Sequence, residues 1–163
     1  MNRRNRDMNT LTPRLIFTDG AAPNNQNGCK HGGLGVVVLN SQEEVLETYK
    51  ARVEPEAGET RTTNNRCEML AVIKALELAE SEDIIHTDND MIAKGYNEWL
   101  KGWKLKGWKT ASKKPVANQD LWRRIDKLKQ EKPAVVVKWV RGHSGVYGNE
   151  LADNLATEAA LIK

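Results

Sequence analysis

A chain of 163 residues with 39% hydrophobic and 29% charged residues has the size and make-up of one globular domain, able to bury about two thirds of the surface its unfolded form exposes. No apolar run approaches the roughly 20 residues that span a bilayer, and no signal-like apolar stretch opens the chain, so a membrane or secreted protein is not expected. Cys29 and Cys67 are its two cysteines, with neither a CxxC pair nor a histidine at zinc spacing, which points to an intracellular, reducing setting without a disulfide framework.

The first 13 residues, with Arg3, Arg4 and Arg6 and little that is apolar, are expected to form a short basic tail. Residues 14–163 are expected to form the single domain. In chain order, Arg14–Asp19 is a short strand that stops at Asp19-Gly20. Ala21–Gly33, rich in Asn, Gly and Pro, is a loop by composition. Leu34–Leu39 and Val45–Val53 read as a hairpin. After the break at Pro55 and Gly58, Asn64 or Asn65 is expected to cap a helix. Its stripe is Met69, Leu70, Ile73, Leu76 and Ala79. Ile84–Thr87 is a strand ending at Asp88, Asp90–Trp99 is helical, and Leu121, Ile125 and Leu128 mark another helix. Val135–Val140 is a strand, then comes a Gly-His-Ser-Gly loop, and the closing helix carries Leu151, Leu155 and Ala159 on one face. Strands that first pair and then alternate with helices predict an α/β protein with a mixed sheet flanked by helices.

Asp19 and Asp88 each end a short apolar strand and each follow a threonine. Acids there project into the crevice beyond the sheet, where ligands of α/β folds bind. Glu68 is expected in the first turn of the first long helix, and Asp153 within the last. Carboxylates without Cys or His partners suit hard cations such as Mg²⁺ or Mn²⁺. Two such ions can activate water and stabilise the leaving oxygen of a phosphodiester. Each acid also has a plainer reading: a turn at Asp19-Gly20, a helix-dipole partner at Glu68, a solvated face at Asp153. Asp90 reads as a helix N-terminal acid rather than a ligand.

Four segments in order resemble the motifs of type 1 ribonucleases H. They are Ile16-Phe17-Thr18-Asp19-Gly20, then Thr62-Thr63-Asn64-Asn65-Arg66-Cys67-Glu68-Met69, then Thr87-Asp88, then Val140-Arg141-Gly142-His143-Ser144-Gly145 through Gly148-Asn149-Glu150-Leu151-Ala152-Asp153. The resemblance runs from about Arg14 to Leu161. It implies the ribonuclease H-like fold, a five-stranded mixed sheet flanked by helices, matching the five strands read above. It further implies an endonuclease that hydrolyses the RNA strand of RNA–DNA hybrids with two Mg²⁺ ions (Mn²⁺ substituting), leaving 5′-phosphate and 3′-hydroxyl ends.

Carried over by position, the resemblance makes Asp19, Glu68, Asp88 and Asp153 the metal-binding carboxylates, with Asp19 bridging both ions. His143, in a polar Gly-flanked loop and with an ordinary pKa near 6.5, takes the place of a mobile histidine that aids proton transfer or product release. His31 and His86 are expected to be incidental.

From Trp99 to Trp122, aromatics interleave with Lys101, Lys104, Lys106, Lys109, Lys113 and Lys114, the footprint of a phosphate-tracking surface. Gly102 and Gly107 suggest close turns between short helices. The segment resembles the basic protrusion that grips the DNA strand in the family. Trp103 is the candidate for packing on a sugar, with Trp99 and Trp108 structural, and Arg61, Thr63 and Asn118 are candidates for a phosphate pocket. Asn25, Asn64 and Asn65 resemble the positions that contact RNA 2′-hydroxyls, the group distinguishing RNA from DNA. One departure is the loop between Gly20 and Gly33, which lacks the Gly-Asn-Pro-Gly turn of the common bacterial form and leaves Asn25 the least anchored of the three. The separate N-terminal hybrid-binding module of eukaryotic relatives is expected to be absent, and the protein is expected to act as a monomer.

Overall fold

Alternation along the first strand decides the layering. In β1 (Leu15–Ala21), Ile16 joins one buried cluster while Phe17 joins another on the opposite face, as the period-two geometry of a strand requires. The computed structural model describes residues 12–22, 31–142 and 145–161. In it β1 is the centre of a five-stranded sheet of order β3-β2-β1-β4-β5. β2 (Gly32–Leu39) and β3 (Val45–Val53) continue antiparallel on one side. On the other, β4 (Ile84–Thr87) and β5 (Val136–Trp139) run parallel to β1. This is the expected mixed sheet.

One face is covered by α1 (Asn64–Leu78) and α4 (Gln119–Glu131), which supply Met69, Val72, Ile73, Leu76, Leu121 and Ile125 to the larger core. The other face is covered by α5 (Tyr147–Ala160), whose Ala152 packs with Phe17, Val37 and Leu39. Between β4 and α4 the chain forms α2 (Asp90–Lys94), a π-helical turn (Gly95–Trp99) and α3 (Leu100–Leu105). The helix expected over Asp90–Trp99 therefore exists but widens at Gly95. There the Trp122 ring lies where a Cβ would be, 2.2 Å away, and Asn97 Nδ2 donates to the Ala93 and Val137 carbonyls at 2.9 Å each. Gly102 lies inside α3 rather than at a turn, whereas Gly107 (φ +69°) does make one.

Three local expectations are corrected. The cap of α1 is Thr63, whose side chain accepts the Arg66 N–H at 3.2 Å. Asn64 and Asn65 are the first two helical residues, so Glu68 stands in the second turn and not the first. Gly32 and Gly33 open β2 instead of ending a loop; a Cβ on Gly33 would lie 2.2 Å from the Ala156 carbonyl oxygen. Composition reads such glycines as loop because their reason, a helix packed on the strand, lies more than a hundred residues away.

Candidate metal centre and nucleic-acid surface

The β1–β4 ladder ends at Thr18↔Thr87, so Asp19 and Asp88 are the next residues of neighbouring parallel strands. Asp88 directly follows the carboxyl end of β4 and Asp19 lies beside it toward the carboxyl end of β1, the end of a sheet at which α/β folds bind their ligands. Contrary to the sequence reading, Asp19 does not end its strand. β1 runs on to Ala21 by pairing with β2, and Asp19 sits opposite Gly35.

Two close approaches bring the other acids in. On one face a Cβ at Gly20 would lie 2.3 Å from the Glu68 backbone nitrogen. On the other a Cβ at Gly35 would lie 2.4 Å from the Ala152 carbonyl oxygen. Without side chains at these two positions, α1 and α5 press their backbones onto the sheet beside Asp19. Glu68 and Asp153 are carried in with them. One carboxylate oxygen each from Asp19, Glu68 and Asp88 then lies within 4.8 Å of the others, and the Asp153 side chain hydrogen-bonds Asp19. Gly35→Ala is accordingly expected to cost about 1–3 kcal/mol through overpacking and to lower hydrolytic activity by shifting Asp153. Retention of the wild-type rate at a temperature where the variant is fully folded would show that this approach does not position Asp153.

The electrostatics of the cluster would favour a bound cation. Asp19 is buried, and burial, then the Asp88 charge and the hydrogen bond with Asp153, push its carboxyl up to about 9 despite the Gly20 N–H it accepts at 2.9 Å. Glu68 is pushed up to about 7, first by burial; a hydrogen bond from Asn89 opposes this and Asp88 adds to it. Clustered like charges in a poorly solvated place hold protons until a cation replaces them. All the donors are carboxylate oxygens, the set that hard divalent cations prefer.

Asp90 stays out of this cluster: it lies in the first turn of α2 and pairs with Lys94 at 3.1 Å, the helix N-terminal role expected of it. His86 stacks on Phe17 with ring centroids 4.4 Å apart, and burial lowers its pKa, so it packs as a neutral ring. Gly142 runs against Asp88, its would-be Cβ 3.0 Å from Oδ2. His143, Asn25 and Cys29 lie outside the described residues; Cys67 is buried in the larger core.

The hybrid-binding candidates fall into two groups. Asn64 Oδ1 accepts the Ala22 N–H at 2.6 Å, and Asn65 Oδ1 accepts from Asn89 at 2.9 Å, so both asparagines line the edge of the acidic site. Thr63 and Asn118 are joined through Arg66. Its guanidinium donates to Asn118 Oδ1 at 3.0 Å and grips Asp120 at 2.9 and 3.1 Å. Asn118 holds a left-handed conformation (φ +55°), and Arg61 is exposed nearby in sequence. Sequence reading missed Arg66 and Asn89 because their partners are 21 to 54 residues distant.

In the protrusion Trp108 is buried under Arg123, a structural role as expected. Trp103 is half-buried with its edge on Trp122, and Trp99 beside it is more open than expected. Lys106 and Lys109 are exposed, while Lys104 reaches Asp126 at 3.3 Å. Among the described residues, no helix is long and apolar enough to cross a membrane.

Comparison with known proteins agrees with this geometry. The family model for RNase H matches residues 12–161. The Ribonuclease H of Thiobacillus denitrificans is 45% identical over 148 residues, covering 90% of this chain and 92% of that protein. The solution structure of the PFV RNase H domain superposes with a TM-score of 0.77 at 26% identity, over 91% of this chain and 94% of that one. LC11-RNase H1, solved in complex with an RNA/DNA hybrid, shares the fold with a TM-score of 0.62 at 24% identity, over 90% and 96%. The chain therefore belongs to the type 1 ribonuclease H family.

Proposed function

We propose that this chain is an endonuclease that hydrolyses the RNA strand of RNA–DNA hybrids, using two Mg²⁺ ions held by Asp19, Glu68, Asp88 and Asp153. The observation that carries this reading is the convergence of three carboxylate oxygens within 4.8 Å at the sheet crevice, with Asp153 hydrogen-bonded to Asp19. Bound there, divalent cations supply an activated water and neutralise charge on the leaving oxygen; Mn²⁺ meets the same donor preference.

The residues around the crevice orient the substrate. Asn64 and Asn65, at the lip of the acidic site, face the RNA strand and read its 2′-hydroxyls, with Asn25 serving the same strand. Arg61, Thr63 and Asn118 form a phosphate pocket for the DNA strand, held in shape by Arg66. Trp103 packs on a DNA sugar, and Lys104, Lys106 and Lys109 track phosphates. His143, placed by the motif after Gly142, moves protons or helps product leave.

The test is digestion of one end-labelled hybrid beside matched RNA and DNA duplexes, with Mg²⁺ and with excess EDTA. Metal-dependent cutting of hybrid RNA alone, giving 5′-phosphate and 3′-hydroxyl ends, is expected; full activity in EDTA, or equal cutting of duplex DNA, would overturn the reading. The protrusion is expected to set affinity and not chemistry. Neutralising Lys106, Lys109, Lys113 and Lys114 together should flatten the log–log salt dependence of hybrid binding by roughly one unit per lost phosphate contact, with the single-turnover rate at saturation little changed. Lys104 should contribute less, because Asp126 already pairs with it. An unchanged salt slope would mean that these lysines serve solubility only.

A further inference from the structure

Asn89 belongs neither to the carboxylates nor to the residues assigned to the hybrid, yet its side chain touches both groups. It caps α2: its Oδ1 accepts the Ile92 N–H at 3.1 Å, while its own backbone N–H donates to Thr87 Oγ1 at 3.1 Å. The Ile92 N–H can only donate, so its bond to Oδ1 fixes which end of the Asn89 amide faces the helix. Nδ2 must point the other way. There it donates to Glu68 Oε1 at 2.7 Å and to Asn65 Oδ1 at 2.9 Å, so both of its N–H groups are occupied. The constraint passes on. With its oxygen turned to Asn89, Asn65 has its own Nδ2 on the far side, near Met69 Sδ at 3.8 Å, a weak acceptor that leaves donor capacity open.

We propose that Asn89 is a positioning residue that ties the metal-binding carboxylate of Glu68 to Asn65, and orients Asn65 to offer N–H donors to the RNA strand. The RNA-strand half rests on the reading that Asn65 faces the hybrid. The group Asn65 recognises is then an acceptor, the 2′-hydroxyl oxygen, which a DNA strand lacks. The same amide holds Glu68 in one orientation at the cation site, as partners behind metal ligands generally do.

Asn89→Ser separates this role from helix capping, since serine keeps a cap oxygen but is too short to reach both Glu68 and Asn65. Two measurements on the full chain avoid turnover. Calorimetric titration of Mn²⁺ into the free protein should show affinity weakened about tenfold in Asn89→Ser and little changed in Asn65→Ala. Binding of hybrid and of matched DNA duplex in EDTA gives a selectivity ratio. That ratio should fall by a similar factor in Asn65→Ala, in Asn89→Ser and in the double variant. Strictly additive losses in the double variant, or Mn²⁺ affinity within twofold of wild type in Asn89→Ser, would overturn the coupling. Wild-type selectivity in Asn65→Ala alone would instead remove the underlying reading of Asn65 and the RNA-strand half with it, while the Mn²⁺ titration still decides the Glu68 half.

Discussion

Asp19→Asn should reduce turnover by a factor of roughly 10³ or more while making the metal-free protein more stable. The loss follows from removing charge at the centre of the cation site; a deficit of about 4 kcal/mol in transition-state stabilisation corresponds to that factor. The gain follows from proton linkage. The Asp19 carboxyl is pushed from an ordinary 3.8 up to about 9, first by burial and then by Asp88 and Asp153. Between about pH 4 and pH 9 the native state therefore holds a proton that the unfolded chain has released. Stability rises with pH only where the unfolded state binds more protons, so here it falls as pH increases. Glu68, pushed from 4.5 up to about 7, adds to the decline over its narrower window. Asparagine cannot release a proton and escapes the Asp19 part. In EDTA at pH 8 the variant should melt above wild type, with the difference shrinking toward pH 4. Added Mg²⁺ should stabilise wild type, since a ligand that binds only the native state raises its stability, and should affect the variant much less. Near-normal turnover at ordinary Mg²⁺, or a variant that melts lower than wild type in EDTA at pH 8, would contradict this account.

Arg14→Ala should strongly destabilise the protein from a position away from the acidic site. Asp83 is fully buried and receives Arg14 Nε at 2.9 Å, Nη2 at 2.6 Å and the Arg14 backbone N–H at 3.1 Å. The Glu80 N–H donates to the same carboxylate at 2.8 Å, and Arg14 also reaches the Leu78 carbonyl at 3.2 Å. Together these contacts tie the starts of β1 and β4 at the end of the sheet remote from Asp19 and Asp88. Removing the guanidinium strands a buried carboxylate, a change that costs about 3–5 kcal/mol. At roughly 2–4 °C per kcal/mol for a domain of this size, melting should drop by about 10 °C. The double variant Arg14→Ala/Asp83→Asn should recover part of the loss, because the charge left without its partner is gone. A single variant within 1 kcal/mol of wild type by urea denaturation would show that water or rearrangement satisfies Asp83. Activity per folded molecule, measured below the melting range, should stay near wild type.

The sequence by itself determined the order and kind of the main elements and the four acids. Val45–Val53 and Ile84–Thr87 are strands at the boundaries read from their residues, because side-chain alternation and turn residues are local signals. The stripe from Met69 to Leu76 is the buried face of α1 for the same reason. The acids were legible because each sits inside a short motif, and four motifs in order identify a family where one would not.

What only the tertiary structure decided are the contacts between segments far apart in the chain. Local patterning assigned the α1 cap to Asn64 or Asn65. Thr63 takes that role, and Asn64 is engaged by Ala22, 42 residues earlier. The glycines of β2 look like loop until α5 is laid on them, and Gly20 and Gly35 become the devices that seat Glu68 and Asp153 beside Asp19. The bonds of Arg66 to Asn118 and of Asn89 to Glu68 exist only once α1, α2 and α4 share one side of the sheet. The raised pKa of Asp19 likewise arises from burial and from Asp88, just past β4, and Asp153 on α5, since desolvation and charge–charge repulsion depend on distance in space and not on distance along the chain.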